Sequence, residues 1–136
     1  MDDVVINKLA KIERCLSRIT EVYQQAGDGF MTDYTRQDSI ILNLQRACEA
    51  AIDLANYINK LKKLGIPQSS RDSFELLQRA GFLSLEISDN LKKMVGLRNI
   101  AVHDYQELNL DIVKFVVENH LVDFQHFGKA IKSLLL

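Results

Sequence analysis

Tryptophan is absent from this sequence, proline occurs once and glycine only six times in 136 residues. So few chain breakers, with no run of alternating apolar and polar residues, exclude a strand-rich sandwich or barrel. Two cysteines are too few for a disulfide framework or a cysteine-based metal cluster, and Cys15 and Cys48 both fall on apolar helical faces, as small buried thiols in a reducing cytoplasm would. The amino terminus, MDDVVINKLAKIERC, is acidic and amphipathic, so it reads as neither a secretory signal nor a membrane span. Nor does one sign of charge dominate: 17 Lys and Arg stand against 18 Asp and Glu, with a pI near 6.3. Without a broad basic surface, any anionic partner must be held by a local site.

What the chain has is helical periodicity throughout. Val5, Leu9, Ile12, Leu16, Ile19 and Tyr23 recur at 4-3-4-3-4 spacing and predict a first helix from Asp3 to Gln25. GDGFMTDYT reads as a loop in which Gly27 caps that helix. A second helix carries Ile41, Leu44, Cys48, Ala51, Ala55 and Ile58, flanked by Ile40, Ala47, Leu54 and Leu61, a face wide enough to touch more than one neighbour. LGIPQSSRDS ends it, with Gly65 as the expected cap and Pro67 as the stop. Asp72 and Glu75 suggest the capped start of a short third helix, Ser73 to Ala80, closed by Gly81. A fourth helix starts near Ser84 and a fifth runs from Leu110 to the carboxyl terminus, its apolar side marked by Val113, Val117, Leu121, Phe124, Phe127, Ile131 and Leu134. The expectation is an all-α fold: one domain over residues 1–136, an up-and-down bundle of four long helices and one short one.

The fourth helix carries the anomaly. Ile87, Leu91, Met94, position 98 and Ala101 form its apolar stripe, and position 98 is arginine. A desolvated charge costs several kcal/mol or more unless it is paired, and the positions one turn away are Met94 and Val102, not acids. Arg98 therefore either pairs with a carboxylate from another helix or holds an anionic ligand. His103 lies about 140° around the helix from Arg98, while Asn99 and His103 are neighbours at i,i+4, so Asn99 can orient the imidazole. Tyr105 would return to the arginine's face if the helix continued that far.

Imidazole titrates near neutral pH and guanidinium grips phosphate through two parallel hydrogen bonds. RNA cleavage by the neighbouring 2′-hydroxyl needs only a proton acceptor and a cation, with no metal or other cofactor. Spacing alone leaves the simpler reading open, in which Arg98 is ion-paired, His103 caps a helix end and Tyr105 covers it. Lys92, Lys93 and Arg79 either extend a basic patch around Arg98 or merely solvate the surface, and His120 and His126 read as structural.

The run KKMVGLRNIAVHDYQELNLDIV, with Arg, four residues, His, one residue and Tyr, resembles the signature of the HEPN superfamily, and within it the minimal HepT-like toxins. DYTRQDSIILNLQRACEAAIDLANYI resembles that family's second helix. The resemblance implies a five-helix bundle acting as a metal-independent endoribonuclease, a homodimer whose two motifs face each other across a cleft. Arg98 would then bind the scissile phosphate, His103 serve as general acid or base and Asn99 support them. It also implies a partner, a minimal nucleotidyltransferase antitoxin that switches activity off by attaching AMP to Tyr105. The alternative is a non-catalytic helical adaptor that binds nucleotides or a protein. Gly96, inside the helix, would serve a close approach at the dimer seam or tight packing within one copy.

Overall fold

The computed structural model describes residues 2–135. Six α-helices follow one another: α1 Asp3–Ala26, α2 Tyr34–Leu61, α3 Ser70–Arg79, α4 Leu85–His103, α5 Leu110–Asn119 and α6 Leu121–Leu135. Short 3₁₀ turns, Gly27–Thr32 and Tyr105–Glu107, join α1 to α2 and α4 to α5. No strand occurs among the described residues.

α1 begins where its first acids stand, with the Asp2 side chain accepting from the Val4 N–H, and ends at Gly27, whose φ of 52° suits glycine. Its stripe of Val5, Leu9, Ile12, Leu16 and Ile19 is buried along α2. α2 packs against α1, α3, α4 and α6, which accounts for its wide apolar face. All these helices share one continuous core, in which Phe74 and Phe127 meet edge to face at 5.7 Å. Cys15 and Cys48 are buried free thiols within it.

Three boundaries differ from the sequence expectation, each for a local reason. The end of α2 is closed by Lys63, at φ 56°, with Leu64 N–H on the Asn59 carbonyl and Lys63 N–H on that of Lys60. That pair of bonds is a Schellman cap, reached before Gly65. α3 starts at Ser70 because Ser69, not Asp72, is its cap: Ser69 Oγ accepts from the Asp72 N–H. The Asp72 carboxylate in turn accepts from the Gln68 N–H, a variant of the capping box displaced by one residue.

The expected fifth helix is two helices. It breaks at His120, whose N–H still bonds the Val116 carbonyl while Asp123 N–H turns back to the His120 carbonyl. Beneath the break, His120 Nδ1 lies 2.8 Å from the Asp123 carboxylate, which also accepts from Asn90 at 3.2 Å. Asp123 is only 3% exposed, so this buried acid is held by both neighbours and fixes the corner between α4, α5 and α6.

Candidate functional site

α4 brings the motif to one end of the bundle. Ser84 caps its start, Leu91, Met94 and Val95 anchor it in the core, and the chain leaves helical geometry at Asp104, φ −152° and ψ 56°. The stretch carrying Arg98 and Asn99 is half-buried, while His103 is exposed at the last turn.

Arg98 extends inward between α2 and α3. It borders a small cavity, about 10 Å³, with Ile41, Leu44, Met94, Leu97 and Ala101. The head reaches Ser70 on the first turn of α3, Nη2 to Oγ 3.4 Å, and Nε is buried without a hydrogen-bond partner. None of the ion pairs among the described residues includes Arg98. The cation is close enough to Cys48 to pull that thiol's pKa down, although burial dominates and pushes it up to about 12. Arg98 is thus a half-buried guanidinium without a carboxylate partner among the described residues.

α3 runs antiparallel to α4 beside it: Ser70 meets Arg98, Arg71 Nε donates to the Lys92 carbonyl at 3.3 Å, and Glu75 pairs with Lys92. Lys92 and Arg79 both engage Glu75, whose carboxyl is held below its usual range chiefly by the Lys92 hydrogen bond. These two cations therefore belong to a surface ion-pair group. Arg71, which the sequence did not single out, takes their place: its guanidinium lies over Gly96, where a Cβ would come within 2.9 Å of Nη2. The glycine makes room for an arginine on the open side of α4.

That open side has its own register. Asp89, Lys93, Gly96, Ile100 and His103 recur at 4-3-4-3 spacing and are exposed or half-buried. Next to it, α4 and α5 form a cleft of about 220 Å³ lined by Lys93, Leu97, Ile112 and Phe115 among others, and Ile112 and Phe115 are half-exposed.

The four motif residues do not meet within one copy. Among the described residues no hydrogen bond joins Asn99 to His103, or Arg98 to either His103 or Tyr105. Because α4 stops at His103, Tyr105 does not return to the arginine's face. It turns instead onto α2, where its hydroxyl donates to the Asp38 carboxylate and its ring lines a groove with Gln37, Ile41, Leu108 and Leu110. Burial, then the Asp38 hydrogen bond and charge, raise the Tyr105 phenol to about 12. Nothing in the local pattern of DYTRQDSI signals this contact, since Asp38 and Tyr105 pair only through the fold. His120 is occupied with Asp123, and no three His, Cys, Asp or Glu side chains gather as metal ligands among the described residues.

This arrangement has close counterparts. The mRNA nuclease HepT of Shewanella oneidensis is 63% identical over 135 residues, covering 98% of this chain and 99% of that one. A tRNA nuclease HepT of Aphanizomenon flos-aquae is 23% identical over 133 residues, or 98% and 90% of the two chains. Among solved structures, the tri-AMPylated Shewanella oneidensis HEPN toxin in complex with its MNT antitoxin superposes with a TM-score of 0.93 at 62% identity, over 98% of this chain and 99% of that one. A toxin–antitoxin complex with AMP-PNP gives 0.91 at 61% identity, over 96% and 99%. Residues 12–131 match the family model described as Ribonuclease HepT-like, and the chain belongs to that HepT-like family.

Proposed function

We propose that this chain is the toxin of a toxin–antitoxin pair and cleaves RNA by a metal-independent route. The observation that carries the reading is Arg98, a half-buried guanidinium with no carboxylate partner among the described residues, five residues before an exposed histidine, in a chain 63% identical to an mRNA nuclease.

In this reading Arg98 grips the scissile phosphate and stabilises the charge that builds on its oxygens, as only a preorganised cation can. The 2′-hydroxyl attacks phosphorus, the bond to the 5′-oxygen breaks, and a 2′,3′-cyclic phosphate and a free 5′-hydroxyl result. His103 takes the 2′-hydroxyl proton or returns one to the leaving oxygen, and Asn99 supports the placement of both.

A second copy of the chain completes the site. The open stripe of α4 contains both Gly96 and His103, and the apolar Ile100, Ile112 and Phe115 stand exposed around it. Pairing two such faces covers those side chains and sets one motif opposite the other. In this reading the pair works in the cytoplasm, where cellular RNA and the transferase meet. No helix among the described residues is long and apolar enough to cross a membrane.

Control rests on a minimal nucleotidyltransferase antitoxin that attaches AMP to Tyr105. The added phosphate brings negative charge and bulk to the mouth of the site and repels the RNA backbone. Unmodified protein, verified by intact mass, should cleave single-stranded RNA in excess chelator and stop doing so once the antitoxin and ATP have acted. Cleavage that persists after full AMP transfer would defeat the control mechanism, and cleavage that appears only with added metal would defeat the chemistry.

A further inference from the structure

We infer that Asp38 is the proton acceptor when AMP is transferred to Tyr105, so that the toxin itself supplies part of the machinery that silences it. The inference rests on the preceding reading that Tyr105 takes the AMP.

The geometry is specific. Tyr105 stands on the 3₁₀ turn between α4 and α5 and is 44% exposed, so part of the residue faces solvent. The residue lines a groove with Gln37, Ile41 and Leu108, and its hydroxyl donates to a carboxylate oxygen of Asp38. Asp38 takes part in no ion pair among the described residues. The nearest basic residue in sequence, Arg36, is committed to Asp33 at 2.9 Å, and Gln37 to the Phe30 carbonyl at 2.7 Å. Asp104 and Glu107, on the tyrosine's own turn, are exposed acids. The Asp38 carboxylate is therefore an unneutralised base whose hydrogen bond is to a nucleophile.

The chemistry needs such a base. The Tyr105 oxygen attacks the α-phosphorus of ATP held by the transferase. The new oxygen–phosphorus bond forms, the bond to the bridging oxygen breaks, pyrophosphate leaves, and the phenol proton passes to the Asp38 carboxylate and on to water. No electrons change hands. With its phenol raised to about 12 by burial and by Asp38, Tyr105 is protonated at neutral pH and does not present a phenolate of its own, so its proton must leave during the attack. Once AMP is attached, the same oxygen has no hydrogen to donate and carries an anionic phosphodiester. Asp38 then repels what it formerly held, and the modified side chain leaves α2 for the neighbourhood of the cleft.

The test uses the full chain with its transferase and ATP, following AMP addition by intact mass for the wild type and for Asp38→Asn, Asp38→Ala, Asp38→Glu and Tyr105→Phe. Asparagine can still accept the phenol hydrogen bond but cannot take the proton. Both Asp38→Asn and Asp38→Ala should lower kcat for the first AMP by roughly 100-fold with little change in KM for the toxin, Asp38→Glu should recover much of the rate, and all three should cleave RNA normally before modification. Wild-type transfer by Asp38→Asn would overturn the inference: with a slow Asp38→Ala it leaves Asp38 a positioning residue, and with a normal one it leaves Asp38 no part. AMP addition to Tyr105→Phe would instead remove the underlying assignment of the acceptor, and the inference with it.

Discussion

Arg98 reaches Ser70 across the contact of α3 and α4, Nη2 to Oγ 3.4 Å, while its own Nε is buried without a partner. A long contact to a neutral hydroxyl compensates little for a buried Nε, which supports the proposal that the arginine is held for what it binds and not for what it stabilises. Arg98→Met keeps the apolar stem packed and removes the charge. Its melting temperature should match or exceed the wild type, whereas RNA cleavage should fall by roughly 100-fold or more. A large loss of stability in calorimetry would mean that the guanidinium is structural. Ser70→Ala, removing only the hydroxyl that steers the head group, should cost a few-fold in cleavage.

Gly96 offers the reverse separation. Alanine in a helix interior is favoured over glycine by about 1 kcal/mol, and the atom its Cβ would meet is the end of the flexible Arg71 side chain at 2.9 Å. Gly96→Ala should therefore leave the monomer as stable or more so while displacing Arg71 from α4 and disturbing the face on which two copies pair. Thermal melts together with sedimentation would show a stable chain that associates less and cleaves less. A less stable chain with unchanged association would place the glycine's role within one copy.

Asp123 ties α4 to the break between α5 and α6 through Asn90 and His120. Asp123→Ala leaves two polar groups without their buried acceptor and should destabilise by about 2 to 3 kcal/mol, read from urea unfolding. Loss of under 0.5 kcal/mol would mean the corner is held by apolar packing alone.

Much of this architecture follows from local pattern. The stripe from Val5 to Ile19, the Ser84 start of α4 and the Gly81 end of α3 are each written in neighbouring residues, because period and capping act within a turn or two. Lys63 in place of Gly65 was hidden because the Schellman bonds form as soon as the chain can turn, and a lysine tolerates that turn when the surroundings enforce it. The break at His120 carries no glycine or proline, and the bond of the nearby Asp123 carboxylate to Asn90 forms only once α4 is packed against it. At the site, the inward Arg98 was legible from the apolar stripe. Its contact with Ser70, the seat of Arg71 over Gly96, and the turn of Tyr105 onto Asp38 were not, since each joins residues far apart in the chain.

Two phenols give the fold an alkaline limit. Tyr23, through burial and its 2.6 Å bond to Glu118, and Tyr105, through burial and Asp38, are both raised to about 12. The folded chain keeps two protons that the unfolded chain releases near the ordinary tyrosine value of about 10. Their contribution is complete below pH of about 10 and is lost as pH rises towards about 12. Melting temperature should fall across that window, and Tyr23→Phe should flatten the fall. A curve unchanged by that substitution would contradict the assignment.

The most direct test of the central claim is single-turnover cleavage of a short single-stranded RNA by unmodified protein in excess chelator, comparing wild type with His103→Ala. The wild type should give a 2′,3′-cyclic phosphate product, and the variant a rate lower by roughly 100-fold or more. An undiminished rate in His103→Ala, with the chain verified as folded, would contradict it.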